Sequence, residues 1–232
     1  MYMFFDPLFL MFMIPGLLVS LIATFMTKST FAKYARVPAY SGVTGAEAAA
    51  RMLASAGVHD VRIERVGGFL SDHYDPRSRT LRLSPDVYSS GSLSAIGVAC
   101  HEAGHALQHA SAYLPLQLRS ALVPATNFAS NFSYIVIFMG FLMHSQPLVL
   151  AGAVIFSAAV LFAFVTLPVE WDASARAKKM MVTAGIVSQT EANDAGKVLN
   201  AAFMTYLAAA LSALLTLLYY LLRAGVLGGG DD

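Results

Sequence analysis

The sequence predicts a membrane α-helical protein with about four transmembrane helices and one small α+β domain. Three observations lead there. Of 232 residues, 57% are apolar and only 12% are charged, where a soluble domain carries about 25% charge. Mean hydropathy is +0.61. The apolar residues gather into four runs, and most Lys and Arg gather in one stretch after the first run. This composition excludes a disordered chain, a nucleic-acid binder acting through a basic surface, and most soluble enzymes. The formal net charge of +1 selects no acidic or basic partner. The lone cysteine, Cys100, rules out an intrachain disulfide and a thiol cluster.

Residues 8–26 are uncharged and long enough to cross a hydrocarbon core about 30 Å thick. Pro15 and Gly16 interrupt the run, which membrane helices tolerate. Asp6 stands where a signal peptide carries Lys or Arg, so the run is read as a retained anchor. Residues 27–122 form the polar domain. Within it, Thr44 caps a helix over 45–56 that stops at Gly57. Residues 58–66 alternate as a strand, and 80–83 read as a second strand with a turn between them. Ser92 or Ser94 opens a helix through residue 112. Residues 123–167 form a membrane hairpin with crossings at about 132–144 and 148–167. The first crossing begins near Pro124, with Thr126, Asn127 and Ser130 facing protein. Residues 168–200 are a polar helical segment. Residues 201–232 hold the last crossing, at 201–222, and a flexible acidic tail from Gly228 to Asp232. With four crossings, almost all Lys and Arg fall on one face, and only Arg223 lies at the other. The positive-inside rule puts both polar regions in the cytoplasm.

The second polar-domain helix contains His101-Glu102-Ala103-Gly104-His105, the HExxH pattern. On an α-helix, residues i and i+4 share one face. His101 and His105 therefore aim two imidazoles at one metal ion, and Glu102 flanks it as a base for water. With 6 His in 232 residues, chance supplies this pattern only about 0.003 times. A hydrogen-bonded core pair leaves unexplained the intervening Glu102 and the presence of two His in a chain otherwise poor in polar groups, groups that unpaired would cost several kcal/mol in an apolar setting. Zinc accepts imidazole and carboxylate ligands and leaves one position open for water.

A third ligand is required. His109 lies one turn further on, but three His on consecutive turns span about 12 Å and cannot all reach one ion. It is assigned to the surroundings of the site. The metzincin spacing is absent, because residue 111 is Ser. His73 sits on the connection between strands. Glu170 is preferred over Asp172: Pro168 opens a new helix, and Glu170, Ala173, Ser174 and Ala177 share a face small enough to approach the HExxH helix. A carboxylate in the first turn would also interact with the helix dipole.

With these residues in view, the chain resembles the YugP-like membrane zinc metallopeptidases of bacteria. The resemblance rests on SGVTGAEAAARMLASAGV, GGFLSDHYDPRSRTLRLS, HEAGHALQHA, PATNFASN and LPVEWDASARAKK, in unbroken order over nearly the whole chain. HExxH followed by Glu-x-x-Ala is also similar to gluzincins, which place Asp where this chain has Ser174. The resemblance implies a zincin-like domain, one Zn2+ per chain held by His101, His105 and Glu170, and peptide hydrolysis with Glu102 as general base. It also implies a bacterial inner-membrane location. His73, Tyr74 and Arg176 are candidates to stabilise the developing oxyanion, and Ser174 and His109 to support the ligands. Arg176 has a plainer role available, an ion pair with Asp172. Strand 80–83 either offers an edge for an extended peptide or takes ordinary sheet pairing, and the sequence favours neither. Expected partners are a peptide or protein substrate and membrane lipid, with room for a membrane-protein partner or a second copy. A metal-containing but non-catalytic scaffold is the alternative. A metal transporter ranks last, because the apolar runs carry no central charge.

Overall fold

The computed structural model describes residues 6–68 and 71–227. The tail from Gly228 to Asp232 and two residues of the GGFLSDHY stretch, Phe69 and Leu70, lie outside the described residues. The described chain is mostly helical: α1 (Pro7–Tyr34), α2 (Gly45–Ser55), β1 (Arg62–Arg65), β2 (His73–Asp75), β3 (Thr80–Leu83), α3 (Pro85–Tyr88), α4 (Leu93–Ala110), α5 (Leu114–Leu142), α6 (Gln146–Thr183) and α7 (Gln189–Arg223). Four of these, α1, α5, α6 and α7, are long and apolar enough to cross a membrane. Only 11–28% of each most apolar window is buried, as expected of helices that present their sides to lipid.

The chain divides into two compact units, described separately. One comprises Met1–Ala23, Leu118–Leu167 and Thr205–Asp232. Small residues let its helices approach. A Cβ on Gly152 would meet Ile137 at 2.4 Å, and one on Gly16 would meet Ser212 at 2.9 Å. Ser212 donates to the Gly16 carbonyl at 3.1 Å. Close backbones and hydroxyl bonds are how helices associate where no hydrophobic effect separates them from lipid.

The other unit comprises Thr24–Gln117 and Pro168–Met204. Its apolar core joins Met52, Leu53, Leu81, Leu83, Ile96 and Met181, among others. Thr44 and Glu47 form a capping box that starts α2, and Ser92 caps α4 through the Ala95 amide. The sheet is mixed, with order β1-β3-β2: β1 runs parallel to β3 and β2 antiparallel to it.

Several expectations are corrected. Residues 168–183 do not start a new helix; α6 runs unbroken from Gln146 with Pro168 inside it. Proline removes one amide donor, which a long helix survives. Glu170 is therefore not in a first turn, and the helix-dipole reading of its charge fails. The second crossing belongs to a longer helix, α5, that begins at Leu114. On it Thr126 is buried but Asn127 is exposed. The last crossing, 201–222, is the greater part of α7, which begins earlier, at Gln189, and is long and apolar enough to cross a membrane. The first strand starts at Arg62, because the Val58 amide closes α2 by donating to the Leu53 carbonyl. Thr80–Leu83 is the central strand, paired on both sides, so it offers no edge. His73 opens β2 rather than lying on a loop.

Candidate metal centre

The centre is assembled in the second unit from α4 and α6. Gly104 allows it. A Cβ there would lie 2.6 Å from the Ala173 carbonyl oxygen, so only glycine permits this approach of the two backbones. The small face of α6 is therefore present as expected, with Ala173 and Ala177 fully buried. It brings the Glu170 carboxylate onto the two imidazoles. Glu170 Oε2 lies 3.3 Å from His101 Nε2 and 3.5 Å from His105 Nε2. All three ligand atoms fall within 4.8 Å of one another.

These distances suit a metal. Tetrahedral zinc with bonds of about 2.0–2.1 Å holds its ligand atoms about 3.4 Å apart. The donor set, two imidazoles and one carboxylate, matches a catalytic zinc site. Glu170 is only 2% exposed, and a carboxylate so deeply buried needs positive charge against it. The electrostatics point the same way. Burial disfavours a charged His105, yet its hydrogen bond to Glu170, the charges of Glu102 and Glu170, and its bond to Gln108 together raise its pKa. Surroundings that favour a proton at this imidazole favour any cation there.

The far side of each imidazole is also engaged. His101 Nδ1 lies 3.1 Å from Ser174 Oγ, so this serine contacts a candidate ligand. His105 Nδ1 lies 3.0 Å from Gln108 Oε1. Gln108 donates to the Val169 carbonyl at 2.7 Å and to Asp172 Oδ2 at 2.9 Å. Gln108 is the residue that reading the sequence missed. Its position three residues after His105, on the same helical face, was the available signal.

The remaining candidates sit around this centre. Asp172 is no member of the ligand group; it takes Arg176 Nε at 2.6 Å, the plainer role foreseen for Arg176. Arg176 also reaches Ser111 Oγ at 3.4 Å and stacks over the Tyr113 ring. His109 is outside the ligand group and pairs through Nδ1 with the Tyr74 hydroxyl at 2.9 Å. Burial pushes the Tyr74 pKa up, so the phenol keeps its proton. His73 is exposed, its Nδ1 on the Ser71 carbonyl. Asp72 accepts from the Ser84 amide and hydroxyl. Its pKa is raised, by burial first and also by the charge of Glu102, against the lowering effect of the Ser84 bonds.

An HExxH helix and a carboxylate from a second helix, in a chain with four candidate membrane spans, define a membrane protein with a group that could hold a metal ion. Comparison with known proteins makes this specific. Residues 9–225 match the family described as "Putative neutral zinc metallopeptidase". Over 225 residues the chain is 48% identical to the "Putative membrane protease YugP" of Bacillus subtilis (strain 168), covering 97% of this chain and 99% of that one. No solved structure matches. The chain belongs to this zinc metallopeptidase family, whose cofactor is Zn2+, and its His101, His105 and Glu170 group could bind one ion.

Proposed function

We propose that the protein is an integral-membrane zinc endopeptidase of zincin-like, gluzincin type. The observation that carries this reading is the convergence of Glu170 Oε2 on the Nε2 atoms of His101 and His105, at 3.3 and 3.5 Å. His101, His105 and Glu170 hold the ion. Bound there, zinc would supply the Lewis acidity that peptide hydrolysis needs. Glu102, next to His101 and partly exposed, accepts a proton from the attacking water and returns it to the leaving amine. Ser174 and Gln108 hold the two imidazoles from behind. Among the described residues β2 pairs only with β3, so the outer edge of β2 replaces 80–83 as the place where an extended peptide adds. Tyr74 of that strand is tied to His109 of α4, which keeps the edge beside the HExxH helix. The Lys and Arg bias supports a site on the cytoplasmic side of the membrane, which in this reading is the bacterial inner membrane.

The test is cleavage of a peptide library by the detergent-purified chain, read by mass spectrometry. The wild type should cleave internal bonds. Glu102→Gln should lose about 10²–10⁴-fold of the rate while keeping its zinc. Equal cleavage by both proteins would refute the assignment of the base. A zinc-loaded wild type that cleaves nothing would favour the scaffold reading.

A further inference from the structure

We propose that Gln108 is the positioning residue that fixes His105 in its metal-binding tautomer, with Asp172 setting the orientation of the Gln108 amide. This rests on the reading of His105 as a zinc ligand.

The geometry leaves Gln108 one orientation. Its nitrogen faces two acceptors, the Val169 carbonyl and Asp172 Oδ2, at 2.7 and 2.9 Å. Neither can donate, so the NH2 group belongs there. The amide oxygen is then left to meet His105 Nδ1 at 3.0 Å. An amide oxygen only accepts, so Nδ1 must carry the hydrogen. In a neutral imidazole the lone pair then lies on Nε2, the atom that faces Glu170. Gln108 is completely buried, so water cannot substitute for either contact. Asp172 is held in turn by Arg176 Nε at 2.6 Å, which neutralises its charge and fixes the oxygen that receives the amide. His101 has no equivalent device, because a serine hydroxyl such as that of Ser174 can donate or accept. A carboxylate commonly occupies this supporting place behind a metal-bound histidine; here an amide stands between the imidazole and the carboxylate.

The arrangement makes a directional prediction. Gln108→Glu keeps an oxygen for His105 but turns its second oxygen toward Val169 and Asp172, where acceptor meets acceptor. Asp172→Asn added to it supplies an NH2 group that repairs the contact between them.

The experiment measures zinc dissociation constants by chelator competition on full-length protein in detergent, together with the melting temperature of each metal-free variant. Gln108→Ala should bind zinc about 10- to 100-fold more weakly than the wild type. Gln108→Glu should also weaken binding, and Gln108→Glu with Asp172→Asn should bind more tightly than Gln108→Glu alone. A purely structural glutamine would lower metal-free melting temperatures and leave the zinc affinity of the folded protein unchanged; that result overturns the proposal. So does a double variant no tighter than Gln108→Glu, a comparison that stands even if Gln108→Ala does not fold. A wild type without zinc affinity would instead defeat the metal-site reading itself.

Discussion

Gly104→Ala separates the fold from the site. The added Cβ would sit 2.6 Å from the Ala173 carbonyl oxygen and 3.2 Å from the Ala173 Cα. That is roughly 0.8 Å short of the ~3.4 Å at which such atoms touch comfortably. The obstacle is backbone on both helices, so no side-chain rotation relieves it, and α4 and α6 must part by several tenths of an ångström. Overpacking of this size costs about 1–3 kcal/mol, and alanine returns about 0.8–1.0 kcal/mol through its helix propensity. The net change in stability is therefore at most about 2 kcal/mol. The metal feels more. His101 and His105 lie on one helix and Glu170 on the other, and ligand distances tolerate only about 0.2 Å. Zinc affinity should fall by about 10- to 100-fold, the scale seen when a ligand is mis-positioned. The assay is chelator competition on wild type and variant, with metal-free melting curves as the control for folding. An alanine variant that binds zinc as tightly as the wild type would refute the claim that this close approach builds the site.

Three further outcomes follow from single contacts. Cys100 is fully buried and its thiol is pushed up to about 12 by that burial, so maleimide should leave it unlabelled in the native protein and label it after denaturation. Thr44→Ala removes the hydroxyl that accepts from the Glu47 amide, one half of the capping box at α2, and should destabilise the protein by about 0.5–2 kcal/mol in thermal unfolding. The Asp75 carboxyl is held well below its usual range by bonds from Ser78, Arg82 and the Arg77 amide. Its folded pKa is depressed, so its stabilisation is complete above the unfolded value of about 3.9 and is lost as pH falls further. The gap in melting temperature between wild type and Asp75→Asn should be constant near neutrality and close in acid.

The sequence disclosed contiguous chemistry and concealed what depends on register or on helix continuity. HExxH is legible because i and i+4 share a face whatever the rest of the chain does. Glu170 was legible because Ala173, Ser174 and Ala177 mark a face made for close approach, and the structure places that face on Gly104. The unbroken α6 was not legible: a proline after an apolar run reads equally as a helix start or as a tolerated interruption. The central place of Thr80–Leu83 was hidden too, since pairing partners are set by tertiary packing rather than by the strand's own pattern. Gln108 was missed because its meaning depends on Val169 and Asp172, distant in sequence and brought close only by the packing of α6 on α4. Arg176 and Asp172 were readable as a pair from their spacing alone, and they form one.

Bound metal tests the central claim most directly. Wild type and Glu170→Ala, purified in detergent and supplied with zinc, would be analysed by elemental mass spectrometry. A single catalytic site held by His101, His105 and Glu170 predicts about one zinc per wild-type chain, lost or greatly weakened in the variant. Equal zinc in both proteins, or none in either, would contradict it.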